Sequence, residues 1–255
     1  LVLALNHHPQ YRLILAANRD EFHDRRSQPA HWWDDNTDVL AGRDLEAGGT
    51  WLGLSRSGRL ALVTNYREPG KREAGTPSRG KLVSKFLASR KSASEFAANL
   101  YAEAPLYSGF NLLVLDDQEC LYLCNRGHFQ KRLSDGIYGL SNHRLDTPWP
   151  KVERTRQRFA AALKSDKLDK TELFTILGDN LPFKDMVLPD TGLDPELEVL
   201  LSTPFIISPI YGTRCSTLVL WDYEDNIQLA ERSFDASGAL ESDLSFSFTI
   251  ERKED

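Results

Sequence analysis

With 255 residues, 41% of them apolar and 27% charged, the chain has the composition of an ordinary globular protein with ample core material, which excludes global disorder. Its net charge of −6, with basic residues dispersed among acids, excludes a nucleic-acid partner and leaves a small or apolar one, because phosphate neutralisation needs a basic face. The longest apolar runs, 112–115 and 218–221, are strand-sized against the roughly 20 residues a bilayer span needs, so no transmembrane segment is expected.

Residues 1–5 are apolar but lack a basic leader and run directly into His7, His8 and Pro9, which does not read as a signal peptide. The only methionine is Met186, so the sequence is expected to begin inside its gene product. Three cysteines, without a Cys-x-x-Cys pair, read as reduced thiols in a cytoplasmic protein. No metal site is expected. Cys120 and Cys124 fall on the same side of an alternating segment and read as buried packing.

In chain order, 1–5 and 11–17 are two β-type runs separated by a turn-rich stretch, which predicts an antiparallel hairpin. Strands are predicted at 39–42, 50–54, 59–65, 110–115, 121–125, 137–140, 213–221, 227–234 and 244–250. Helices are predicted from a Ser78 cap through Leu87, from Ser92 or Ser94 through Tyr101, over 150–163, over 171–177 behind Asp169, and over 196–201 behind Asp194. The 183–195 loop is expected to be mobile and the charged end 251–255 to fray. Strand and helix blocks that alternate without a long linker predict one α+β domain over 1–255, for which a four-layer α/β/β/α sandwich fits the order.

Asn18, Arg19, Asp20 and Glu21 follow the second predicted strand, a place where functional groups are mounted on rigid sheets. If the hairpin turn centres near His8 and Pro9, paired positions sum to about seventeen, so the position before Leu1 faces Ala17 or Asn18.

The segment Leu15-Ala16-Ala17-Asn18-Arg19-Asp20-Glu21 resembles the motif that names the NRDE family, the transport and Golgi organisation protein 2 family. The resemblance spans nearly the whole chain through Gly48-Gly49-Thr50-Trp51-Leu52-Gly53, Thr64-Asn65-Tyr66-Arg67, Ser78-Arg79-Gly80, Gly109-Phe110-Asn111-Leu112, Gly139-Leu140-Ser141-Asn142 and Pro148-Trp149-Pro150-Lys151. It implies a fold like that of the N-terminal-nucleophile hydrolases, similar to the cysteine amidases that cleave bile salts and penicillin V. Family members begin Met-Cys, so the resemblance also implies a cysteine immediately ahead of Leu1, which this sequence does not carry. In the amidases that cysteine attacks a carbonyl while its own α-amino group acts as base. By motif position the supporting catalytic roles fall on Arg19, Asp20, Asn65, Asn142 and Arg214, and the ligand-binding roles on Asn18, Arg19, Asp20, Glu21, His23 and His143.

Each position also has a plainer structural reading. Asn18 to Glu21 suit an Asx-turn with a surface ion pair, Asn65 and Asn142 suit turn closure, Arg214 suits a salt bridge, and Gly48, Gly49 and Trp51 suit a turn and core anchor. No Cys-x-x-Cys-His is present, so haem enters only as a non-covalent ligand, with His23 or His143 as candidate partners. Two function classes follow. The resemblance implies a carrier in intracellular haem trafficking and acyl-lipid or acyl-coenzyme A homeostasis, while the residues themselves favour a cysteine-dependent hydrolase of linear amide C–N bonds.

Overall fold

The structure is a computed structural model that describes residues 1–68, 75–183, 188 and 191–251. Strands Val2–Leu5 (β1) and Tyr11–Phe22 (β2) form the predicted hairpin, turning through Asn6 at φ +45° and pairing Val2 with Ala16 and Leu5 with Leu13. Every residue of β1 is buried, because its alternating side chains are covered on both faces.

The hairpin lies inside a six-stranded sheet ordered β10-β1-β2-β11-β12-β13, with Gly136–Gly139 (β10), Tyr211–Asp222 (β11), Asn226–Phe234 (β12) and Leu240–Thr249 (β13). Helices Pro150–Ala162 (α3), Lys170–Leu177 (α4) and Pro195–Leu200 (α5) belong to the same compact unit, which comprises 1–24, 135–141 and 145–248. Its core joins Val2, Ala4, Ile14, Ala16, Leu218 and Leu220 to Phe159, Leu173 and Leu177, so α3 and α4 cover one face of the sheet. Asp169 caps α4 by accepting from Thr171 N at 2.8 Å. Asp169→Ala is expected to cost about 1 kcal/mol, read as a lower urea midpoint with unchanged slope.

The second unit comprises 25–134, 142–144 and 249–255. Its seven strands run in chain order from Ser27–Trp32 (β3) through Val39–Asp44 (β4), Leu52–Ser55 (β5), Arg59–Asn65 (β6), Phe110–Leu115 (β7) and Cys120–Cys124 (β8) to Gln130–Arg132 (β9). Helices Gly80–Leu87 (α1) and Ala93–Glu103 (α2) bury Leu82, Val83, Phe86, Ala97 and Leu100 against Ala61, Leu112, Val114 and Leu121 of that sheet. A Cβ on Gly49 would lie 2.5 Å from the carbonyl carbon of Gly80, so this glycine is what lets the 48–51 turn touch the start of α1.

The α+β class stands as predicted: two antiparallel sheets, each covered by helices of its own unit. The main differences from the sequence reading are in β2, β3, β9 and α1. β2 does not end at Ala17 but runs to Phe22, because β11 is long enough to pair with all of it. β3 and β9 were not predicted; both are edge strands, β9 fully exposed and β3 mostly half-buried or buried, with no apolar alternation to reveal them. Ser78 does not cap α1 through its side chain: the helix starts at Gly80 behind Arg79, and only the Ser78 carbonyl takes part, accepting from Lys81 N. The capping serine of α2 is Ser92, in a reciprocal bond pair with Glu95. Residues 184–187 and 189–190 of the expected mobile loop and 252–255 of the expected frayed end lie outside the described residues.

Candidate functional site

Because β2 continues past Ala17, Asn18, Arg19, Asp20 and Glu21 are strand residues with alternating orientation rather than a loop beyond a strand end. Their partners sit on β11. Ser216 Oγ donates to Asn18 Oδ1 at 2.6 Å, and Asn18 Nδ2 donates to the carbonyls of Leu177 and Pro204 at 2.9 and 2.8 Å. Thr213 Oγ1 donates to Asp20 Oδ1 at 2.6 Å, and Tyr211 OH donates to the Asp20 carbonyl at 3.2 Å. Glu21 accepts from Phe22 N at 3.0 Å.

The β2–β11 ladder pairs Asp20 with Thr213 and Arg19 with Cys215, leaving Arg214 as an extra residue in a bulge. That re-aims the Arg214 guanidinium, whose Nη1 donates to the carbonyls of Phe22 and His23 at 3.3 and 3.0 Å. Its buried Nε has no partner among the described residues. Cys215 itself is 4% exposed, and burial together with Glu231 pushes its thiol well above the usual range, so it is not a nucleophile.

The chain start reaches the same cluster. Leu1 N donates to the Leu140 carbonyl at 3.0 Å and Leu140 N returns a bond to the Leu1 carbonyl at 2.9 Å, so Leu1 already pairs within the sheet. Burial pushes the Leu1 amine down to about 6, with Lys151 assisting and Asp20 opposing. Burial raises the Asp20 carboxyl, against the lowering effects of the Thr213 bond, Lys151, the amine and Arg19. Lys151, in the first turn of α3, is fixed by a 2.6 Å bond from Nζ to the Leu201 carbonyl.

His23 Nε2 lies 2.9 Å from the Ser208 carbonyl, on the backbone of Gly212, where a Cβ would fall 3.1 Å from that nitrogen. Thr213 Oγ1 also accepts from Ile206 N at 2.9 Å, which pins the 206–210 segment to the Asp20 partner. Beside the polar cluster stand exposed apolar side chains, Phe22 at 45% and Ile210 at 71%. Phe22 stacks edge-on against Tyr211 at 5.3 Å.

The remaining predicted residues belong to the second unit. Asn142 Nδ2 donates to the Asn65 carbonyl at 3.2 Å and the Asn142 carbonyl accepts from Arg67 N at 2.7 Å, so these two asparagines meet each other. His143 lies 5.0 Å from the Tyr66 ring, and burial followed by Arg144 lowers its imidazole value. Sequence reasoning gave no role to Lys151, Thr213 or Ser216. Thr213 and Lys151 stand inside the motifs 211–214 and 148–151, but only the folded sheet shows what they face.

A two-sheet α+β protein with a buried ionisable cluster at the start of a central hairpin is the class that fold and site define. Within it, the chain belongs to the Transport and Golgi organisation 2 family, whose profile matches residues 1–236. The Mus musculus Transport and Golgi organization 2 homolog is 39% identical over 241 residues, covering 88% of this chain and 87% of that protein, and the Homo sapiens homolog gives the same figures. The Drosophila melanogaster Transport and Golgi organization protein 2 is 29% identical over 246 residues, covering 88% and 86%. Among solved structures, a Caenorhabditis elegans N-acylethanolamine-hydrolyzing acid amidase ortholog aligns over 86% of this chain and 91% of that chain at TM-score 0.38 and 13% identity, too distant for its chemistry to be carried across. No helix among the described residues is long and apolar enough to cross a membrane.

Proposed function

We propose that the first unit binds a small amphiphile, with the polar head at the start of β1 and the apolar part on Phe22 and Ile210. The observation that carries this reading is the juxtaposition of the Asp20, Lys151 and chain-start cluster with those two exposed apolar side chains, Phe22 on the same strand as Asp20 and Ile210 just ahead of β11. A long-chain acyl thioester such as acyl-coenzyme A is the ligand class that combines a carbonyl head with an apolar tail. Haem is the other candidate. It would place iron at His23 and propionates on Arg19 or Arg214, and ligation through Nε2 requires the bond to Ser208 to break. In the cell this reading makes the protein a carrier in haem trafficking or acyl-lipid homeostasis, working in the cytoplasm.

A second reading, hydrolysis of a linear amide, is favoured by the placement of Asp20 and Lys151 beside the start of β1. The ladder register puts the position ahead of Leu1 between Asn18 and Ser141. A cysteine there, as the family resemblance implies, would give its thiol proton to its own amine and attack the carbonyl carbon. The leaving amine would take that proton, and water would then hydrolyse the thioester to acid and free thiol. Burial and Lys151 would favour the amine as free base, and Asp20 would oppose them.

The experiment titrates haem and palmitoyl-coenzyme A against the full-length gene product and its Cys→Ala variant, and follows an N-acyl amide in parallel. Saturable binding that survives the variant supports the carrier. Amide turnover that the variant abolishes supports the hydrolase. Neither binding nor turnover in the full-length protein would refute both.

A further inference from the structure

Among the described residues the two sheets present four outer edges, β10 and β13 on the six-stranded sheet and β3 and β9 on the seven-stranded one. The backbone N–H and C=O groups along such an edge recruit another strand, and proteins block that by shortening the edge strand, bending it, or placing proline or a basic side chain on it. Three of the four edges carry a block of this kind. β10 has four residues, β9 has three and includes Lys131 and Arg132, and β3 contains Pro29 within a break in register between Gln28 and His31.

The fourth edge carries none. β13 runs for ten residues, Leu240–Thr249, without proline, lysine or arginine. Its side chains alternate, with Leu244, Phe246 and Phe248 half-buried on one face and Glu241, Asp243, Ser245, Ser247 and Thr249 exposed on the other. In that exposed row the two acids come first and the three hydroxyls follow. Asp243 is held in place by Arg232 Nε of β12, which donates to its Oδ2 at 2.9 Å.

The order of the row selects the partner. A second β13 laid antiparallel about a two-fold axis at Ser245 sets Asp243 against Ser247 of the second copy and Glu241 against its Thr249, whereas an in-register parallel strand would set acid against acid. The same register sets Leu244 against Phe246 of the second copy, and the reverse, so the half-buried apolar row continues across the join. We infer that β13 is a self-association edge, through which two copies of this chain join their six-stranded sheets. The inference uses neither the chain-start cluster nor its ligand and stands whether or not the amphiphile reading does.

The test is sedimentation equilibrium of the full chain from about 5 μM to about 500 μM. One pair of edge strands buries little area, so the expected dimer is a weak one, with Kd on the order of 100 μM. Ser245 is exposed and meets its own copy across the axis. Ser245→Asp and Ser245→Lys therefore each put like charges face to face and should weaken the dimer at least about tenfold, while an equimolar mixture of the two variants should associate as well as the parent or better. The inference is overturned by a parent chain that stays monomeric at the highest concentration, by a dimer that either variant leaves unweakened, or by a mixture that does not associate.

Discussion

Asparagine in place of Asp20 is expected to make the protein more stable at pH 8 while impairing its function. The Asp20 carboxyl is raised by burial despite Lys151, Arg19 and the amine, so its surroundings disfavour the charge even with cations at hand. A carboxyl whose value is higher in the folded chain than in the unfolded one keeps its proton longer when folded, and stability is lost as pH rises through the folded value. Asparagine removes that loss and still offers Thr213 an acceptor oxygen, so a gain is expected at pH 8 that shrinks below pH 4. Ligand binding or amide turnover should fall by about a hundredfold, because the group that offsets Lys151 and the amine is gone. The measurement is paired: urea midpoints at pH 4 and pH 8, and the assay of the full-length protein. A variant less stable than the parent at pH 8, or one with undiminished function, would remove Asp20 from the site.

Phe159→Ala should produce the largest loss of stability, about 3–5 kcal/mol. The Phe159 ring is wholly buried between α3 and the face of the sheet made by Val2, Ala4, Ile14 and Ala16. Truncation leaves a void beneath the hairpin that carries both Asp20 and the chain start. Hydrogen exchange should therefore quicken at the Leu140 amide, which bonds the Leu1 carbonyl, as well as in α3. A urea midpoint within about 1 kcal/mol of the parent would mean that the helix can collapse onto the sheet and that the core is looser than described.

Much of this was legible in the sequence where a signal is local. Strands 59–65 and 110–115 and the caps Ser92, Asp169 and Asp194 fall where apolar period and capping chemistry put them. The register is also close to expectation: the ladder sums to eighteen from Val2 and Ala16, where about seventeen was inferred. What stayed hidden depends on distant partners. The polar end of β2 has no apolar alternation and is a strand only because β11 pairs with it. Thr213 and Lys151 matter through residues nearly two hundred and more than a hundred positions away, and no window along the chain contains both ends of such a contact.

Arg214 occupies a slot that the sheet does not require. Thr213 and Cys215 face neighbouring residues of β2, Asp20 and Arg19, so a chain lacking residue 214 would zip without a gap and every remaining pair would keep its partner. The arginine is thus an insertion tolerated by the backbone, and a one-residue deletion would erase its guanidinium while sparing the alignment of Thr213 with Asp20. Few positions in a protein allow a charged group to be subtracted so cleanly from the scaffold that presents it.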